Sequence, residues 1–158
     1  MTGMKDQKRP NTLMEYMGFK DEDIKTESHD EIVLLLSKKE KLTKIVKKLC
    51  FSFDGVNEIV LEKVLSDDYK QYGFLDIYFE FGYNLNYKGY GFIEVKSKPQ
   101  TIGSLVREME YYKTICQKLW SRRFDATFLP IIISPIIIPD HIKQFHSLTF
   151  EMVKDIIQ

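Results

Sequence analysis

The stretch from Ala126 to Ser134 is a nearly continuous apolar run, Phe-Leu-Pro-Ile-Ile-Ile at its centre, flanked by small polar residues. A strand that is apolar on both faces must be covered from above and below, so the chain has to build layers around a sheet rather than a one-sided sheet open to water. The neighbouring segments have the patterns needed to supply those layers.

Ser28-His29-Asp30-Glu31 has the form of a capping box, in which the serine hydroxyl and the glutamate carboxylate satisfy each other's orphan backbone donors at a helix start. Ile32, Leu35, Leu36, Leu42, Ile45, Val46 and Leu49 then recur at helical spacing, with six lysines between Lys38 and Lys48 on the remaining surface. This predicts one helix of about 20 residues, bent near Ser37. Asp54-Gly55 predicts a turn. Ile59 to Leu65, Phe74 to Phe81 and Tyr90 to Ser97 predict three strands, the last two separated by a long turn from Gly82 to Gly89. Their loops are too short for crossover helices, so an antiparallel meander is expected. From Thr101 the period becomes helical again, through Ile102, Leu105, Met109, Tyr112, Cys116 and Leu119 to about Trp120. The apolar strand comes next, and His141 to Ile157 is expected to close the chain as one or two helical segments. The order helix, three strands, helix, strand, helix predicts an α/β sandwich with a mixed sheet flanked by helices.

Composition narrows the partners. A chain of 158 residues is long enough for one domain with a sizeable core. Residues 1–26 read as a partly ordered N-terminal arm and 27–158 as the domain. Lys plus Arg number 23 and so do Asp plus Glu, which excludes a broad basic field and requires any polyanion site to be local. Cys50 and Cys116 lack metal-ligand spacing and read as buried thiols of a reducing cytoplasm. No apolar run approaches the roughly 20 residues of a membrane span, so no membrane partner is expected.

The chemistry concentrates in two strands. Asp76 interrupts Phe74-Leu75-Asp76-Ile77-Tyr78-Phe79, and Glu94 and Lys96 interrupt Gly91-Phe92-Ile93-Glu94-Val95-Lys96. Alternate residues of a strand share a face, so Glu94 and Lys96 point the same way, and pairing of the two strands would set the Asp76 carboxylate beside that of Glu94. Two carboxylates brought together repel unless a cation lies between them. A lysine beside that cation can orient a water or stabilise developing negative charge.

With these residues in that order, the chain resembles the PD-(D/E)XK nuclease superfamily, whose restriction-endonuclease-like core runs αβββαβ. The resemblance covers roughly Ser28 to Ser134. It implies a single-domain, Mg²⁺-dependent deoxyribonuclease, with Mn²⁺ as substitute, DNA as partner, and a homodimer able to cut both strands. It further implies that Asp76 and Glu94 bind metal with the carbonyl of Val95, that Lys96 is the catalytic lysine, and that Glu31 is the helix-borne acid joining the site. Leu75 stands where the family name places a proline, and Glu27 and Glu62 compete with Glu31 for the helix role. The helix after the third strand, with Gln100, Arg107, Glu108, Tyr111 and Lys113, is similar to one that supplies polar groups to the site or the DNA backbone. An endonuclease is preferred to an exonuclease. The alternative is a chain that keeps the fold as a nucleic-acid-binding or protein-interaction module without catalysis.

Other signals have plainer readings. His29, His141 and His146 have no metal-ligand spacing, and ordinary polar roles are expected for them. The lysine run reads as the wet side of a helix. Tyr83, Tyr87 and Tyr90 could stack on bases but fit core or rim packing better. Gly82 to Gly91 lacks the subsequent helix that a phosphate-binding loop requires.

Overall fold

The computed structural model describes residues 29–49, 53–83, 87–98, 100–120, 127–139 and 145–158. The N-terminal arm, Glu27, Ser28 of the capping box, Cys50 and His141 lie outside the described residues. Helices α1 (His29–Leu36) and α2 (Lys39–Leu49) precede strands β1 (Phe53–Ser66), β2 (Gln71–Tyr83) and β3 (Tyr87–Val95). Helix α3 (Ile102–Leu119), strands β4 (Thr127–Ile133) and β5 (His146–Leu148), and helix α4 (Phe150–Ile157) complete the chain. The sheet order is β1-β2-β3-β4-β5, antiparallel across β1-β2-β3 and parallel across β3-β4-β5. Among the described residues this is an α/β architecture with a five-stranded mixed open sheet and four helices.

The expected apolar strand is β4, and its burial explains its composition. Ile131 and Ile133 pack with Ile32, Leu36, Leu42 and Ile45 of α1 and α2 and with Val153 of α4, while Ile132 packs with Leu105, Met109 and Cys116 of α3. Pro130 falls just before β5 begins pairing at Ile131, where β4 has a strand neighbour on one side only. Thr101 caps α3, its hydroxyl accepting from the Ser104 N–H at 3.1 Å.

Three local expectations change. The first helix breaks into two instead of bending, because the Ser37 hydroxyl back-bonds to the Leu34 carbonyl at 2.6 Å and the Lys38 carbonyl starts a new helix by accepting from Leu42 N at 3.0 Å. Asp54-Gly55 is not a turn between elements. It lies within β1, whose register against β2 slips between the pairs Phe53↔Tyr83 and Gly55↔Gly82 and so absorbs the irregularity. His146–Leu148 is a strand, not helix. Three residues are too few to display a period, and its Ser147 is buried with its hydroxyl accepting from Ile138 N at 3.0 Å.

One irregularity shapes the centre of the sheet. Along β2, Ile77 packs in the α1–α2–α4 layer, whereas Leu75, an even step away, packs in the α3 layer. Regular alternation therefore fails at Asp76. Across from it on β1, Glu62 lies between the pairs Leu61↔Ile77 and Lys63↔Leu75 and adopts φ 51°, a left-handed backbone that costs about 1–3 kcal/mol for a residue with a side chain.

Candidate functional site

Pairing between β2 and β3 ends at Ile77↔Ile93. Beyond this point β2 stays with β1 through Leu75↔Lys63 and Phe74↔Val64, and the chain leaving β3 stays with β4 through Lys96 N–H donating to the Ile133 carbonyl at 2.8 Å. The two central strands thus separate, and acid side chains fill the gap. Glu94 Oε1 accepts from the Asp76 N–H at 3.0 Å, and Asp76 Oδ2 accepts from the Val95 N–H at 2.8 Å. These bonds satisfy backbone donors that a continued ladder would have satisfied. They also bury both acids: Asp76 is 8% exposed and Glu94 4%.

Helices on opposite sides of the sheet complete the cluster. From α1, His29 Nε2 lies 3.0 Å from Asp76 Oδ1, and its Nδ1 lies 3.1 Å from Asp30 Oδ1. From α3, Glu108 Oε1 accepts from Lys96 Nζ at 2.5 Å, while the same Nζ is 3.9 Å from Glu94 Oε2. The cluster opens into a cleft of about 510 Å³ whose wall also includes Glu62, Phe74, Val95, Lys98, Gln100 and Tyr112.

The electrostatics come from burial. Loss of water, then the neighbouring Asp76 charge, push the Glu94 carboxyl up to about 8, against the opposing pull of the Asp76 N–H and Lys96. Burial, then Glu94, Glu108 and Asp76, push the Tyr112 hydroxyl up to about 12. At His29 burial works against the charged form, but hydrogen bonds and charges from Asp30 and Asp76 outweigh it and raise the imidazole above its ordinary value.

Of the residues singled out from the sequence, Asp76, Glu94, Val95, Lys96 and Gln100 line this cleft, as does the alternative acid Glu62. Glu31 does not. It is exposed in the first turn of α1, and His29 from the same turn makes the contact with Asp76 instead. Arg107 and Tyr111 are exposed on α3, the Tyr111 hydroxyl donating to the Tyr72 carbonyl at 3.1 Å, and neither they nor Lys113 line the cleft. Sequence reasoning misses His29 because the scattered histidines share no ligand spacing. It also misses Tyr112 as a cleft residue, although Glu108 and Tyr112 are four apart and so share one face of α3. Lys44, Lys47 and Lys48 of the lysine run line a different groove with Met152, Asp155 and Ile156.

The donor set fits a hard divalent cation that keeps most of its water. Among the described residues no group of three or more His, Cys, Asp or Glu side chains forms a metal cage. Two carboxylates are nevertheless what Mg²⁺ commonly takes from a protein, the other positions being filled by water and substrate phosphate. Burial and the Asp76 charge oppose ionisation of Glu94, an opposition that a cation between the two carboxyl groups would relieve. Among the described residues no helix is long and apolar enough to cross a membrane. Compared with known proteins, the chain matches no family model, no curated protein and no solved structure.

Proposed function

We propose that this chain is a divalent-metal-dependent deoxyribonuclease of the PD-(D/E)XK, restriction-endonuclease-like type, cutting DNA internally. The observation that carries this reading is the opening between β2 and β3, where two buried carboxylates from adjacent strands meet and a lysine comes two residues after one of them. An ion pair serving only stability would not require both acids to take backbone donors from the opposite strand. The order α, three strands, α, strand supports the same reading.

In this site Asp76 and Glu94, with the Val95 carbonyl, would hold Mg²⁺ or Mn²⁺. The cation would supply charge neutralisation at the scissile phosphate. His29, itself lining the cleft, would fix the Asp76 carboxylate through its contact with Oδ1, as outer-shell histidines and carboxylates do around metal ligands. Lys96 orients the attacking water and stabilises negative charge growing on the phosphate. Gln100 and Lys98, which line the cleft, would contact the DNA backbone.

The test is cleavage of circular and linear DNA with Mg²⁺ or Mn²⁺ by the wild type and by Asp76→Ala, Glu94→Ala and Lys96→Ala. Nicking of the circle marks internal cutting, and RNA competition checks the choice of DNA. Undiminished cleavage by Glu94→Ala overturns the assignment. One observation favours the second reading, a binding module without catalysis: three of the four oxygens of Asp76 and Glu94 already have hydrogen-bond or ion-pair partners within 3.0 Å. Calorimetry with Mn²⁺ separates the two, since a module would not take up the ion at this cluster.

A further inference from the structure

We infer that Glu108 is a positioning residue that draws the Lys96 ammonium away from Glu94 and so keeps the Glu94 carboxylate open to a divalent cation. This rests on the nuclease reading and assigns a specific part of it to a residue on α3.

Glu94 and Lys96 are two apart in sequence, and a lysine with four flexible methylenes would ordinarily close onto so near a carboxylate, all the more in a dry site where attraction is strong. The Glu94 side chain is 5% exposed, yet Lys96 Nζ stands 3.9 Å from its Oε2 and 2.5 Å from Glu108 Oε1. The shorter contact has the length of a charge-assisted hydrogen bond and the longer one does not. Glu94 Oε1 is already engaged by the Asp76 N–H, so Oε2 is the oxygen at stake. Packing places the competing acid: Leu105 and Met109, both buried under the sheet, fix the turn of α3 that carries Glu108. Without the Glu108 charge the nearest carboxyl group to Lys96, among the described residues, is that of Glu94. The ammonium would then move onto Oε2 and compete with the cation.

The experiment is Mn²⁺ titration by calorimetry, without DNA, of the wild type, Glu108→Gln, Lys96→Met and the double variant, each first shown to unfold cooperatively near the wild-type temperature. Glu108→Gln in the presence of Lys96 should weaken Mn²⁺ binding about tenfold, the scale of an outer-shell partner. With Met at 96 there is no ammonium to intrude, and the same substitution should change affinity by less than about twofold, the mark of coupling between the two residues. In DNA cleavage, Glu108→Gln should raise the half-saturating Mg²⁺ concentration. Equal weakening in both backgrounds would mean that Glu108 contributes only its field, and no weakening in either would mean it contributes nothing; each overturns the inference. A wild type that neither binds Mn²⁺ nor cuts DNA overturns the nuclease reading itself. A wild type that does both beside an unchanged Glu108→Gln overturns this inference alone.

Discussion

Asp76 and Glu94 sit on facing strands and each carboxylate reaches across to the other's strand, Glu94 to the Asp76 N–H at 3.0 Å and Asp76 to the Val95 N–H at 2.8 Å. The exchange anchors both acids to backbone and prevents them from relaxing apart. Two carboxyl groups are thereby held together at low exposure, where each opposes ionisation of the other, and most of the expected behaviour stems from that.

The first consequence is a dependence on pH. Burial and the neighbouring Asp76 charge push the Glu94 carboxyl up to about 8 in the folded protein, against an ordinary value of 4.5. Between these values the folded state holds a proton that the unfolded state has lost, so stability is highest near the lower limit and falls as pH rises towards about 8. His29, raised above 6.5, acts in the same direction, because stability gained by binding its proton is lost as pH passes its folded value. Thermal unfolding measured between about pH 5 and 8 should show a falling midpoint, and Glu94→Gln should flatten much of the slope. Mn²⁺ binding near neutral pH should release a proton, seen as a calorimetric heat that varies with buffer ionisation.

The two candidates of the first helical turn should behave differently. His29→Ala removes the group that fixes Asp76 Oδ1 and is expected to lower Mn²⁺ affinity and DNA cleavage by about 10- to 100-fold. Glu31→Ala, at an exposed position off the cleft, should leave both within about twofold, the range of an ordinary surface change of under 0.5 kcal/mol. Parallel titrations and initial rates decide between them, and the reverse ranking would return the role to Glu31.

Gly91 sets the approach of β4 to β3 beneath the site. A Cβ there would collide with the Leu129 carbonyl oxygen and lie 2.7 Å from Phe79 Cζ, and the backbone oxygen has little room to yield. Gly91→Ala should therefore cost at least the 1–3 kcal/mol typical of overpacking, about that much read from the urea midpoint at unchanged slope.

Cys116 is fully buried on α3, and burial together with the Glu94 charge pushes its thiol up to about 12. It should resist iodoacetamide in the native protein at pH 8 and react once denatured, as mass spectrometry of the labelled peptide would show.

Much of the fold is legible in residue order because it depends on period. The switch from helical spacing to alternation and back marks α2, the meander and α3, and the unbroken apolar character of β4 announces helices on both sides, since Ile131 and Ile133 meet one layer and Ile132 the other. Where local hydrogen bonds or brevity outweigh period, the reading fails: Ser37 turns its hydroxyl on its own helix, and β5 is too short to show alternation.

The acids obey the same division. Asp76, Glu94 and Lys96 stand out in sequence because charges are costly inside apolar strands, and alternation alone puts Glu94 and Lys96 on one face. The break in alternation at Asp76, the end of pairing at Ile77 and Ile93, and the arrival of His29 and Glu108 from opposite layers could not be read that way. They arise from contacts between segments 12 to 47 positions apart, where helix packing and strand twist determine which side chain reaches the cleft.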